Sequence, residues 1–519
     1  MKLLGKPEHA GAQRRMSAPL RLFAVLLTIM VNFGFIFLLT RFLQERVTYV
    51  YAFLSVISAF VALRIFNRHE SPSYKYLWIL LIAVMPVAGL ILYLLLANAG
   101  VRRLQGMKRI PEPVTRESAQ MKSEDNLRRL RKDDPALSRL AAYLTEKGFF
   151  LYRGTETLYL SGGEAFFEDL FARMEKAERF IFLEYYIIAE GELWDRAFRI
   201  LRERAAQGVE VKIIFDDLGN ISRFSAGTLA AMEHAGIEYI VFNPVHRYVS
   251  RLYLNYRDHR KIAVIDGDYG YTGGINFADE YANLFVRYGH WRDSALRLHG
   301  AGVWGLTLRF IHLWERLGGT MRQEADYYEP IDEPTGDGYV QCVFDSPLNN
   351  PENPMEDVYT QLIYSAKRFL YVTTPYLALE EHMVRAFSIA AESGVDVRLM
   401  LPGIPDKKSV YRVSESYFSE LMRHGVKIYL YTPGFLHNKS VLVDRQLALV
   451  GSPNVDFRSF QFNFEDAVLC YGTSAVEELL SDMDAIMAES QHVSLESWEK
   501  RSKLKKFISS VLRLFAFWM

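Results

Sequence analysis

The chain has 519 residues, with Lys plus Arg and Asp plus Glu both at 61 and a formal net charge of zero. That length predicts several domains with ample core, and the charge balance gives no sign of a nucleic-acid partner. Only two cysteines occur, Cys342 and Cys470, which excludes a disulfide framework and a four-thiolate metal site; both read as small buried apolar residues.

Long uncharged runs set the first hundred residues apart. Residues 22–40 and 76–98 are long enough to span a bilayer, which takes roughly 20 apolar residues, and 47–63 sits at the lower limit. Together they define an expected transmembrane region over 1–101. No small-residue cleavage site follows the first run, so it reads as an uncleaved anchor. Pro86 and Gly89 predict a kink or close packing in the third run. Basic residues flank the runs about equally on both sides, which leaves the orientation open. Residues 102–134 read as a basic linker, densest at Arg128, Arg129, Arg131 and Lys132, and suited to solvent or to anionic headgroups.

The remainder repeats itself. Residues 177–183, a helical stretch and 208–214 match 366–372, a helical stretch and 394–400. Strand, helix, strand implies a right-handed crossover and parallel neighbours. The expected organisation is a first α/β domain over 135–323, a linker over 324–338 with Pro330, Pro334, Gly336 and Gly338, and a second α/β domain over 339–490. Each should be a mixed-sheet α-β-α sandwich, the two related by a pseudo-twofold axis. Asp216 and Asp217 end one strand without a neighbouring His or Cys, so helix capping is favoured over a metal site. Residues 491–519 end the chain as an amphipathic helix. Leu504, Phe507, Ile508, Val511, Leu512 and Phe515 fall at helical spacing opposite Lys503, Lys505, Lys506 and Arg513. Such a helix suits a membrane interface or the protein's own surface.

One reactive pattern is written twice in the same register. The first copy is His259, Lys261, Asp266, Gly273, Gly274 and Asn276; the second is His437, Lys439, Asp444, Gly451, Ser452 and Asn454. Each His–Asp stretch is β-branched and apolar, hence a strand, and side chains two apart share a face, so His and Lys point the same way. The small pairs Gly273-Gly274 and Gly451-Ser452 allow close backbone approach to a ligand, and Asn276 and Asn454 can donate amide hydrogens to it. Two imidazoles, two ammonium groups and two amides suit a phosphate diester. A nucleophilic His must be neutral while a general acid must be protonated, so the two copies belong in one site, where neighbours push their pKa values apart. The ammonium groups supply the positive charge, so no metal and no cofactor is required. Asp293 and Glu465 are candidates for holding the imidazole tautomers. Asp266 and Asp444 complete the catalytic pattern, though we expect them to tie strand to loop more than to touch substrate.

The doubled H-x-K-x(4)-D-x(6)-G-[GS]-x-N pattern resembles the phospholipase D superfamily. Asp279-Glu280-Tyr281 with Trp291-Arg292-Asp293, and the run from Tyr431 to His437 with Asn463-Phe464-Glu465, are similar to the two sites of bacterial cardiolipin synthases. One departure is Asp258, where such enzymes often carry Asn, and we expect it to tune the site. The resemblance implies duplicated phospholipase D-like domains, with a phosphohistidine on His259 and His437 as acid and then base. It implies a multi-pass bacterial inner-membrane phosphatidyltransferase, with its catalytic domains in the cytoplasm, that joins two phosphatidylglycerols into cardiolipin and glycerol. Phosphatidylglycerol, other anionic phospholipids and the membrane are then its partners, nucleic acid is not, and a homo-oligomer stays open. The alternatives are a phospholipase D-type hydrolase, or a transferase with another acceptor such as phosphatidylethanolamine. Three hydrophobic runs and zero net charge argue against a nucleic-acid phosphodiesterase, and the intact His and Lys pairs argue against an inert scaffold.

Overall fold

The computed structural model describes residues 47–68, 72–96, 114–244, 256–328, 336–349 and 352–518; the expected run 22–40 lies outside them. Three apolar helices open the described chain, Val47–Phe66, Pro72–Val84 and Pro86–Leu96. The run expected over 76–98 is therefore broken at Pro86, which has no N–H to continue a helix. The two pieces fold against each other at Gly89, where a Cβ would lie 2.5 Å from the Leu81 carbonyl oxygen. Among the described residues no helix is long and apolar enough to cross a membrane.

The expected basic linker is instead helical from Val114 to Asp133. Asn126 Nδ2 donates to the Leu151 carbonyl at 2.9 Å, and Ser123 Oγ accepts from the Leu151 N–H at 2.8 Å, so the helix is pinned to the next strand. Asp134 then caps the helix Pro135–Glu146, accepting from the Ala136 and Leu137 N–H groups at 2.9 and 3.0 Å.

Two sheets carry the rest, in one repeated order. The first runs Thr155–Ser161, Ser294–Gly300, Tyr269–Gly273, Lys261–Ile265, Phe180–Tyr185, Glu210–Asp216, Glu238–Phe242. The second runs Tyr339–Asp345, Asn463–Tyr471, Leu447–Gly451, Ser440–Val443, Phe369–Thr373, Asp396–Pro402, Lys427–Tyr431. In each the last three strands are parallel and the others antiparallel. Both faces are covered, so a strand such as Phe180–Tyr185 is buried along its whole length. Its alternation still divides it: Phe180 and Phe182 join the large core with the helix Val303–Arg316, while Ile181, Leu183 and Tyr185 pack under helices Gly163–Met174 and Glu192–Ala206.

The stretch from 135 to 153 is tied to the second sheet. Leu140, Ala141 and Leu144 bury against the second sheet, Gln341 Nε2 donates to the Ala141 and Phe149 carbonyls at 3.1 and 3.0 Å, and Leu151–Arg153 pairs with Tyr339–Gln341. The added strand covers an edge that would otherwise be open. Ser490–Val493 does the same at the opposite edge. Asp216 caps the turn Asp217–Asn220, accepting from Leu218 N–H at 2.8 Å, and also takes Arg257 Nη1 at 3.2 Å.

Candidate active site

The two halves exchange strands at the reactive residues. Arg257–Asp258 pairs in parallel with Asn463–Phe464 of the second half, and Gly434–Leu436 pairs in parallel with His290–Arg292 of the first. The exchange places each His against the other half: His259 N–H donates to the Phe464 carbonyl at 2.9 Å and His437 N–H to the Arg292 carbonyl at 2.7 Å.

The next residue in each partner strand is the carboxylate, and it faces the imidazole. His259 Nδ1 lies 3.0 Å from both oxygens of Glu465, and His437 Nδ1 lies 2.5 Å from Asp293 Oδ2. Because Nδ1 is engaged, Nε2 on the far side of each ring is left for chemistry. Asp293 and Glu465 are thus in contact with the rings, and each serves the half to which it does not belong. Lys261 and Lys439 each donate to the carbonyl of the His two residues earlier, so both ammonium groups lie beside the rings.

The small residues support the carboxylates. A Cβ on Gly274 would meet Asp293 Oδ1 at 2.1 Å, and the Ser452 hydroxyl donates to Glu465 Oε2. Gly274 makes room for the Asp293 carboxyl group and Ser452 holds that of Glu465. Asn276 is also committed internally, its Oδ1 taking the Ile187 N–H at 3.1 Å and its Nδ2 donating to the Tyr281 hydroxyl at 2.7 Å. Asn454 differs, with a buried Oδ1 that has no hydrogen-bond partner among the described residues.

Asp266 and Asp444 lie away from the chemistry. The strand carries the chain about 16 Å beyond Lys261 at roughly 3.3 Å per residue. There Asp266 accepts from the Glu178, Arg179 and Phe180 N–H groups at 2.8, 2.8 and 2.9 Å. Asp444 accepts from Lys367, Arg368 and Phe369 at 2.6, 2.8 and 2.8 Å. Both sit in the left-handed region, at φ of 56° and 51°. Each ties the end of its reactive strand to the start of the neighbouring one. Asp258 is buried behind the site, where Arg260 Nε donates to it at 2.9 Å and lies 2.7 Å from Glu184.

Burial pushes the two imidazoles down. His259 falls to about 4, with Lys261 adding to the effect and Glu465 opposing it; His437 falls well below the usual range, with Lys439 and Lys261 adding. The rings of Tyr281, Trp291 and Phe435 lie 5.5, 5.4 and 5.5 Å from that of His437, and Tyr186 lies 5.2 Å from that of His259. Burial also lowers Lys261 to about 8 and Lys439 to about 7. The carboxylates diverge. Burial raises Asp293 to about 7 against the pull of Lys439, whereas at Glu465 burial is outweighed by His259, Lys261 and Ser452, which bring it down to about 2.

Tyr186 and Asp466 received no role from the sequence. Asp466 accepts from the Thr272 hydroxyl, and its carbonyl takes the Ser452 N–H at 2.8 Å, so it ties the Glu465 strand to both sheets. The doubled acid Glu465-Asp466 was the available signal; Tyr186, one residue past its strand, left none. Among the described residues no three His, Cys, Asp or Glu side chains are grouped to hold a metal ion.

Two crossed His–carboxylate pairs with two buried ammonium groups, on a duplicated sheet, define a phospholipase D-like enzyme. Residues 170–284 and 359–487 match the family described as cardiolipin synthase, PLD-like domain, and 53–98 match the phospholipase D–nuclease N-terminal family. The chain is 34% identical to a cardiolipin synthase of Geobacillus kaustophilus, covering 88% of this chain and 91% of that one. It is 32% identical to a cardiolipin synthase of Halalkalibacterium halodurans, covering 94% and 98%. The fold resembles the crystal structure of phosphatidylserine synthase from Haemophilus influenzae Rd KW20, with a TM-score of 0.53 at 15% identity, covering 70% of this chain and 93% of that one. The chain belongs to the cardiolipin synthase family of phospholipase D-like phosphatidyltransferases.

Proposed function

We propose that this protein joins two phosphatidylglycerols into cardiolipin and glycerol through a phosphohistidine on His259. The observation that carries the reading is the crossed pair of His–carboxylate contacts, with opposite protonation of the two carboxyl groups. Glu465, at about 2, is ionised and holds a neutral His259 with its proton on Nδ1, which leaves the Nε2 lone pair as nucleophile. Asp293, at about 7, retains a proton near neutrality and directs it at His437 Nδ1, which places the His437 proton on Nε2.

The steps then balance. His259 Nε2 attacks phosphorus and the bond to the glycerol oxygen breaks. His437 Nε2 gives its proton to that oxygen while the Asp293 proton moves to Nδ1. A hydroxyl of the second phosphatidylglycerol next gives its proton to His437 Nε2 and attacks phosphorus, which releases His259 and returns the proton to Asp293. Lys261 and Lys439 lie beside the rings where charge builds on the phosphoryl oxygens, and a bound diester would favour their charged forms.

The names of the relatives, cardiolipin synthases, support cardiolipin as the product. The apolar helices between 47 and 96 fit a bilayer-seated enzyme of the bacterial inner membrane, where both lipids are confined to one plane. Well-oriented groups reach effective molarities of roughly 10⁵ M or more, enough for a lipid hydroxyl to outcompete water. Purified protein in phosphatidylglycerol bilayers should yield chiefly cardiolipin and glycerol by mass spectrometry. Chiefly phosphatidic acid would make it a hydrolase. Substrate labelled at phosphorus should leave acid-labile label on a peptide containing His259; label confined to the His437 peptide would reverse the two roles.

A further inference from the structure

The helix Lys503–Arg513 lies on the surface of the second half, and the way it lies is informative. Its inward side is narrow. Ser509 is buried, Leu512 packs on the core, and the Arg513 guanidinium stacks 4.1 Å from the Tyr417 ring while Nη1 reaches Glu420 at 3.1 Å. The opposite side is apolar and open. Leu504, Phe507, Ile508, Val511, Leu514 and Phe515 retain 38 to 67% of their surface. At 100° per residue these six fall within about 120° of the circumference, on the side away from Ser509 and Arg513. Lys503 borders one edge of the stripe and Lys505 the other, both exposed, while Lys506 lies on the back and donates to the Glu499 carbonyl at 2.7 Å. A docked surface helix ordinarily turns its apolar stripe inward; this one is anchored by its back.

The stripe also has a fixed neighbour. Just beyond the helix, Phe517 is buried with its ring 4.6 Å from Tyr74, in the first turn of Pro72–Val84, and 4.8 Å from Phe462, close to Glu465. The outward faces of the N-terminal helices are apolar too, with Tyr49, Phe53, Phe60, Tyr76, Leu80 and Val84 exposed. The C-terminal end of the stripe therefore adjoins both the apolar N-terminal helices and Phe462, just before the strand that carries Glu465.

We infer that the helix Lys503–Arg513 is an interfacial element that inserts its apolar stripe into an anionic lipid surface, with Lys503 and Lys505 at headgroup level. An apolar stripe bordered by lysines matches a bilayer interface, where acyl chains meet phosphates. A second protein copy would have to bury the same lysines against an acidic face. Lipid insertion here would seat the C-terminal end of the helix, where Phe517 meets Phe462, at the bilayer without adding a span, and it holds whichever acceptor the enzyme uses.

The test places an environment-sensitive fluorophore on a cysteine introduced at Phe507 in the full chain, reconstituted in nanodiscs of phosphatidylcholine and phosphatidylglycerol. Glu203, exposed on the helix across the first sheet, carries the control label. Brominated lipid should quench the label at 507 at least about twofold more than that at 203, and replacing all the phosphatidylglycerol by phosphatidylcholine should weaken the difference. Equal quenching at both positions would overturn the inference. So would disulfide cross-linking between copies at 507 without bromolipid quenching, which would assign the stripe to a second copy of the chain. Lys503→Glu with Lys505→Glu, at exposed positions, should reduce the quenching at 507; unchanged quenching would remove the anionic-headgroup part of the inference.

Discussion

His259, in the first half, takes its orientation from Glu465 in the second, with both carboxylate oxygens 3.0 Å from Nδ1. The reciprocal contact, His437 to Asp293, closes the site, so neither half holds a complete catalytic pair by itself.

Single removal of either ring should therefore be as damaging as removal of both. His259→Ala, His437→Ala and the double variant should fall within about tenfold of one another in cardiolipin formation, since residues acting as a unit are strongly non-additive. Substantial activity left in either single variant would contradict a shared site.

Glu465→Gln keeps the shape but allows the amide to donate to Nδ1, which reverses the tautomer and takes the lone pair from Nε2. The rate of phosphohistidine formation should drop by about 10² or more, as for other orienting carboxylates. Single-turnover labelling measures this step. An unchanged rate would mean that Glu465 only packs.

The pH profile follows from the same pairs. His259 must be neutral, and its pKa is lowered to about 4, so activity should be lost as pH falls through about 4. Asp293, raised to about 7, must be protonated at the start of the reaction, and Lys439, lowered to about 7, must be charged, so activity should fall as pH rises through about 7. The dependence of kcat/KM in the free enzyme should be a bell over that window. Asp293→Asn should lower its height and remove the part of the alkaline limb that belongs to the carboxyl group.

Asp266→Ala and Asp444→Ala should damage the fold more than the chemistry. Each removes the acceptor for three backbone N–H groups and leaves Ala at a left-handed φ. A loss of about 1–3 kcal/mol is expected from each in denaturant unfolding, with kcat per folded molecule nearly preserved. A large loss of kcat in fully folded protein would return these residues to the reaction.

Gly274→Ala should act through Asp293, whose Oδ1 occupies the place of the new Cβ. The carboxyl group must move off His437, so kcat should fall while thermal stability changes little. Retained kcat would show that the carboxyl group can shift without consequence.

Much of this site was legible because its chemistry is local in the chain. His and Lys two apart on a strand share a face wherever the strand goes, and the repeat of strand, helix and strand announced two equivalent sheets. Asp216 was readable as a cap for the same reason, since its partners follow it immediately. The packing of the helix Pro135–Glu146 on the second sheet was not legible, because its partners such as Gln341 lie some 200 residues further along the chain. The contacts of Gly274 and Ser452 with Asp293 and Glu465 were not legible, because those carboxyl groups come from a later strand.

The sequence by itself determined the reacting groups, their doubling and the class of ester they suit, because those properties belong to side chains and short-range strand geometry. Tertiary structure alone decided which carboxylate meets which imidazole. That choice depends on Arg257–Asp258 pairing with Asn463–Phe464 and on Gly434–Leu436 pairing with His290–Arg292. Backbone pairing between distant strands follows from how the two sheets are brought together, and no local pattern encodes it. The same packing buries Asp293 and Glu465 in different surroundings, and so pushes one carboxyl group up to about 7 and the other down to about 2.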